Sequence, residues 1–142
     1  MLCLDASVIV CIATGDASEE LQQLAIQWAS DGERFIAPAV LGYEFTNALY
    51  KAARSGAEAS AVALAFQTYR KMNIELVDCS DIHEEALALS LKYGMRASYD
   101  AHYLLLAAKR DVDLYTCDRT FVNSLRGDWP RVFAIPQSNS IR

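Results

Sequence analysis

Residues 99–118, YDAHYLLLAAKRDVDLYTCD, place the two most apolar elements of the chain back to back. The first half reads as a buried helix. The second, VDLYTC, is a short apolar run of the kind that makes a strand covered on both faces. Ser98 stands where a helix N-cap belongs, and Asp118 closes the strand. A helix feeding directly into a buried strand is half of a βαβ crossover, which implies a parallel sheet with helices on its faces. Two carboxylates nonetheless sit at the mouths of these elements, Asp100 in the first helical turn and Asp118 after the strand. An ordinary core would exclude them.

The same alternation extends in both directions. LCLD at the N-terminus is a strand, and the run MLCLDASVIVCI reads as that strand entering a turn. It has no basic leader and carries Asp5 within it, so it is not a signal peptide. Asp16 and Glu19 form a capping-box pattern ahead of a helix whose Leu21, Leu24, Ala25 and Trp28 share one face. Gly32 ends that helix and RFIAP is the second strand. Pro38 introduces a helix over about 40–54, stopped by Gly56, and another helix covers about 57–72. The strand IELVD follows. Asp81 and Glu84 repeat the capping-box pattern before ALALSLKY, which Gly94 closes. A short helix starts near Asp118, RVFAI is a last strand, and PQSNSIR is a loose polar tail. The expected fold class is α/β: a three-layer α/β/α sandwich with a mostly parallel sheet of about five strands, in a single domain spanning 1–142.

Composition agrees with one packed domain. The 142 residues are 53% hydrophobic with only 6 Gly and 3 Pro, which excludes a disordered or collagen-like chain. No apolar run reaches the roughly 18 residues of a membrane span, and a cytoplasmic location is expected. Cys3, Cys11, Cys79 and Cys117 are widely spaced with no Cys-x-x-Cys pair, so they read as buried free thiols, not a zinc site or a disulfide framework. The net charge of −5 looks unsuited to a polyanionic partner. It conceals a near balance: of 18 acids, four set aside for a metal site leave 14, against 13 bases.

Those four are Asp5, Glu44, Asp100 and Asp118. Ligands of parallel sheets bind outside the carboxyl ends of the strands, and Asp5 and Asp118 lie at such ends. Asp100 opens a helix on the same edge. Glu44 lies with Asn47 and Lys51 on a polar stripe beside the apolar face formed by Leu41, Phe45, Ala48 and Ala52. Taken singly, each acid reads as a cap, a first-turn acid or part of a solvated helix face. Together they would repel by about 4 kcal/mol per close pair at an effective dielectric of 20, unless a proton or cation intervenes. Oxygen-only ligands favour Mg²⁺ or Mn²⁺ over zinc.

The segments LDASVI, YEFTNAL, SYDAHYLLLA and YTCDRTF, in this order over nearly the whole chain, resemble a PIN-domain ribonuclease. More narrowly, they resemble the VapC-like toxins of type II toxin–antitoxin pairs. The resemblance implies that Asp5, Glu44, Asp100 and Asp118 are the catalytic, metal-binding acids, holding one or two Mg²⁺ or Mn²⁺ ions. It implies that Ser7, Asn47 and Thr116 orient ligands or waters, and Arg119 stands where a basic residue would meet RNA phosphate. The implied activity is endonucleolytic hydrolysis of RNA, leaving a 5′-phosphate and a 3′-hydroxyl. A homodimer and a small inhibitory antitoxin are the implied partners. A PIN-fold RNA-processing nuclease outside a toxin pair, and a non-catalytic PIN-like binding module, are the alternatives. A receiver-type Mg²⁺ fold is disfavoured, because Asp5 has no adjacent acid and no lysine follows Pro136. His83 and His102 are expected to be packing or surface residues, and most tyrosines core or interface anchors.

Overall fold

The computed structural model describes residues 1–138, over which five strands and seven α-helices alternate. Strand β1 (Leu2–Leu4) leads to α1 (Ala6–Thr14) and α2 (Glu19–Ser30), then β2 (Phe35–Pro38), α3 (Leu41–Arg54), α4 (Ala59–Lys71) and β3 (Glu75–Val77). A 3₁₀ turn, Ser80–Ile82, precedes α5 (His83–Tyr93) and α6 (Ser98–Arg110). Strand β4 (Asp113–Thr116), α7 (Arg119–Ser124) and β5 (Val132–Ala134) complete the described chain. The tail expected over 136–142 lies, from residue 139 onward, outside the described residues.

The strands form one sheet in the order β3-β2-β1-β4-β5, with every neighbouring pair parallel. Leu2 of β1 registers with Phe35 on one side and Asp113 on the other. From β1 the chain moves outward to β2 and β3, then returns across the sheet to β4 and β5. Right-handed crossovers therefore put α1 to α4 on one face and α5 to α7 on the other. The packing of α1 against α3 and α4, and of α5 against α6, agrees with this. The expected three-layer sandwich forms, and the reversal of direction opens a crevice at the carboxyl ends of β1 and β4. The helical layers enclose the centre of the sheet, so β1 is wholly buried, while the outer strands β3 and β5 are partly exposed. Phe45 is fully buried, stacked on Tyr69 and edge-on to Phe66.

Local details depart from the sequence reading. The segment after β1, expected as a turn, is helix α1. Its Val8, Ile9 and Val10 are β-branched and individually poor helix formers, but burial of Ala6, Val8, Ile9 and Ala13 outweighs that preference. Gly15, with φ +79°, ends it by donating its N–H to the carbonyls of Cys11 and Ile12. Ser18, not Asp16, caps α2, its Oγ accepting from the Leu21 N–H at 3.2 Å. Asp16 instead accepts from Thr14 Oγ1. Asp81 caps no helix among the described residues: it lies in the 3₁₀ turn and pairs with Lys109 at 3.0 Å. Ser98 is the first residue of α6 and makes no side-chain cap. All four cysteines are free, with Cys11 only partly buried. Of the tyrosines expected as anchors, Tyr103 is fully buried while Tyr43 and Tyr50 are exposed.

Candidate active site at the carboxyl edge

Asp5 is the residue after β1, and its backbone N–H continues the ladder to the Tyr115 carbonyl at 2.9 Å. It occupies the N-cap position of α1 but makes no side-chain cap hydrogen bond. Its Oδ2 instead accepts from Ser7 Oγ at 2.5 Å and from Thr116 Oγ1 at 2.8 Å. Each hydroxyl has one proton, so both are spent on the same oxygen. Each hydroxyl also accepts a backbone N–H, Ser7 from Cys117 at 2.9 Å and Thr116 from Asp118 at 3.0 Å. Two hydroxyls thus tie the β4 end to the β1 end through one carboxylate. Burial pushes the Asp5 carboxyl above its ordinary range, against the pull of these hydroxyls and of the Ala6 and Ser7 amides.

Asp118 does what its cap reading predicts, with Oδ1 accepting from the Phe121 N–H at 3.0 Å. A carboxylate has a second oxygen, and Oδ2 has no partner among the described residues. Glu44 lies in the first turn of α3, where its Oε2 accepts from Tyr103 Oη at 2.7 Å. Tyr103 belongs to α6, on the other helical layer, so this bond spans the end of the sheet. Burial raises the Glu44 carboxyl, Tyr103 opposes the shift, and the charge on Asp5 adds to it. The Tyr103 hydroxyl is itself pushed up by burial and by the Glu44 and Asp5 charges, which keeps it a proton donor.

Asp100, in the first turn of α6, has no hydrogen-bond or ionic partner among the described residues. Burial, then the charges of Asp5, Asp118 and Glu44, push its carboxyl up to about 7. The charges of the three other acids thus reach Asp100, which lies on the same edge of the sheet. Among the described residues, no three His, Cys, Asp or Glu side chains form a ready ligand cage. Three of the acids are turned to their own partners. Mg²⁺ needs no such cage, since it keeps several waters and takes about one or two carboxylates plus substrate phosphate. An unpartnered carboxylate among oxygen-only donors fits a hard cation.

The remaining expected residues divide. Ser7 and Thr116 hold Asp5, as described. Asn47 is exposed, makes no hydrogen bond to any acid, and lines a shallow groove with Tyr43, Tyr50 and Leu76. Arg119 opens α7 and lines a cavity of about 670 Å³ together with Ser7, Asp118, Thr120 and Arg96. Arg96, in the loop between α5 and α6, was not legible from the sequence as a site residue. Neither arginine has a carboxylate partner among the described residues, whereas Arg34, Lys109, Arg110 and Arg131 are all salt-bridged. Tyr103 was also missed. Its position three residues after Asp100, on the same helix side, was the available signal.

A family model for the PIN domain matches residues 2–123. Among solved structures, the chain is similar to the crystal structure of PAE2754 from Pyrobaculum aerophilum, with a TM-score of 0.66 and 24% sequence identity, over 87% of this chain and 78% of that one. No curated protein matches the chain at a significant level.

Proposed function

We propose, since this chain belongs to the PIN-domain family, that it is a metal-dependent endoribonuclease acting as the toxin of a toxin–antitoxin pair. PIN domains are generally nucleases, which supplies the reaction class. The observation that carries the catalytic reading is Asp100, a half-buried carboxylate with no protein partner among the described residues, whose titration three other acids disturb. A module used only for binding has no need of such a group, whose charge costs stability until a cation arrives.

In this reading Asp5, Glu44, Asp100 and Asp118 hold one or two Mg²⁺ or Mn²⁺ ions. Bound there, the ion would supply an acidified water as nucleophile and charge compensation for the leaving oxygen. Ser7 and Thr116 fix Asp5 through Oδ2, leaving Oδ1 for a ligand, and Tyr103 fixes Glu44 in the same manner. Arg96 and Arg119 border the acids on the β4–β5 side and would hold the RNA backbone on that flank. The toxin role rests on the ordered resemblance of four segments, as do a homodimer and a small antitoxin that covers the acidic crevice.

The test is cleavage of single-stranded RNA by the purified protein with Mg²⁺ or Mn²⁺, with and without chelator, beside Asp100→Asn. Cleavage that needs the ion and is reduced by about a hundredfold or more in the variant is expected. Ion-independent cleavage, or a variant as fast as wild type, would overturn the assignment. Growth arrest on expression, absent with Asp100→Asn, is the expected sign of the toxin role.

A further inference from the structure

A second cavity lies on the same edge, outside the carboxyl ends of β2 and β3. It has a volume of about 170 Å³, and Pro38, Val40, Cys79, His83, Tyr99 and His102 are among its lining. It adjoins the acids covalently on two sides: Tyr99 precedes Asp100, and Val40 lies one helical turn before Glu44. We propose that this cavity receives one unstacked nucleobase of the RNA substrate beside the scissile phosphate. The inference rests on the nuclease reading given above.

Size sets the first limit, since pockets for cofactors and drug-sized molecules begin at about 300 Å³, and this one suits a single flat ring system. Charge sets the second. No Lys or Arg lines the cavity, so a phosphate has no partner there, whereas Arg96 and Arg119 serve that purpose on the opposite flank of the acids. Its surface is mainly carbon, and Tyr99 is half exposed at its wall, available for stacking on a base.

Asp78 and Ser80 also line the cavity but bond to each other. The Asp78 carboxylate accepts from the Ser80 N–H at 2.9 Å and from its Oγ at 3.2 Å, so the two imidazoles supply the polarity open to a ligand. His102 Nδ1 lies 2.8 Å from the Ser98 carbonyl, and His102 Nε2 lies 2.8 Å from His83 Nδ1. A carbonyl only accepts, so His102 Nδ1 bears the proton, and in the neutral pair His102 Nε2 accepts from His83 Nδ1–H. His83 Nε2 is left as the uncommitted acceptor of the pair, matched to an N–H on a base edge. The sequence spacing of His102 and Asp100 excluded a direct partnership between them, but it concealed this pairing across α5 and α6.

The chain has only two histidines, so imidazole NMR signals report on this cavity alone. Titration of wild-type protein with each of the four ribonucleosides, and with ribose 5-phosphate, tests binding without requiring cleavage. A saturable shift of both imidazoles with at least one nucleoside and none with ribose 5-phosphate is expected. Tyr99→Ala should weaken the response about tenfold. In cleavage assays, an abasic position beside the cut should raise KM while leaving kcat nearly unchanged, and His83→Gln should alter the preferred cleavage position. Cleavage of base-free and normal sites alike, with imidazoles indifferent to every nucleoside, would overturn the cavity assignment and leave the nuclease reading intact. Nucleoside binding in a protein that cleaves no RNA would overturn the nuclease reading, and with it the placement beside a scissile phosphate, leaving a base-binding cavity alone.

Discussion

Asp100 meets burial and three like charges, and the sign of that opposition fixes how the ion-free protein responds to pH. Its folded-state carboxyl titrates near 7, against 3.8 for the ordinary group. The folded state thus binds this proton more firmly than the unfolded chain, so stability falls as pH rises from about 4 to about 7 and levels off above. The full shift would correspond to roughly 4 kcal/mol, which partial exposure reduces to about 1–2 kcal/mol. In chelator, Tm should therefore drop between about pH 4 and pH 7, and Asp100→Asn should remove much of the drop. A pH profile unchanged by the substitution would contradict the placement of Asp100. Thr116 gives a second residue-scale prediction. Thr116→Val deletes the donor to Asp5 and the acceptor of the Asp118 N–H, and should cost about 1–3 kcal/mol in urea denaturation, with Thr116→Ser close to wild type. Asp5, Asp118 and Asp100 were legible as single letters at strand ends and a helix start, and Glu44 as one member of a polar helix stripe, although it lies in the first turn of α3 and not about two turns in. Arg96 and the histidine pair were not legible, because each becomes a site residue only when separate segments meet; Tyr103 left only its spacing of three from Asp100 as a signal.

Helix α1 shows at the level of elements why local pattern was insufficient. Its Val8–Ile9–Val10 run favours a strand, and the residues that make it a helix lie far away, on α3, α4 and β4. Ile9 is completely buried, so Ile9→Ala should destabilise the fold by about 2–5 kcal/mol, measurable by thermal or urea unfolding. The central strands β1 and β2 were readable because burial on both faces leaves little room for polar residues, whereas the edge strand β3 is largely exposed and was marked by its apolar Leu76 and Val77 alone. The caps were less so, since Asp16, Ser18 and Glu19 compete within one turn. Ser18→Ala should cost about 1 kcal/mol, whereas Asp16→Ala should change unfolding by less than half of that. Equal effects would restore the capping-box reading that the structure overturns.

The whole molecule carries a net charge of −5, yet its proposed substrate is a polyanion. Attraction must then be local, concentrated in cations that no described carboxylate neutralises, and Arg96 and Arg119 share one cavity. If each meets one phosphate, replacing both by Ala should flatten the dependence of log affinity on log salt by about 1.4 for single-stranded RNA. Binding assays across a salt series measure this directly; a slope unaffected by the double variant would remove the arginines from the interface. Glu44 and Tyr103, finally, belong to opposite helical layers and are joined at 2.7 Å over the sheet edge. Any slippage of one layer past the other, by even a fraction of an ångström, is transmitted to that carboxylate. Catalysis should consequently falter under mild denaturant or remote packing defects well before the molecule melts.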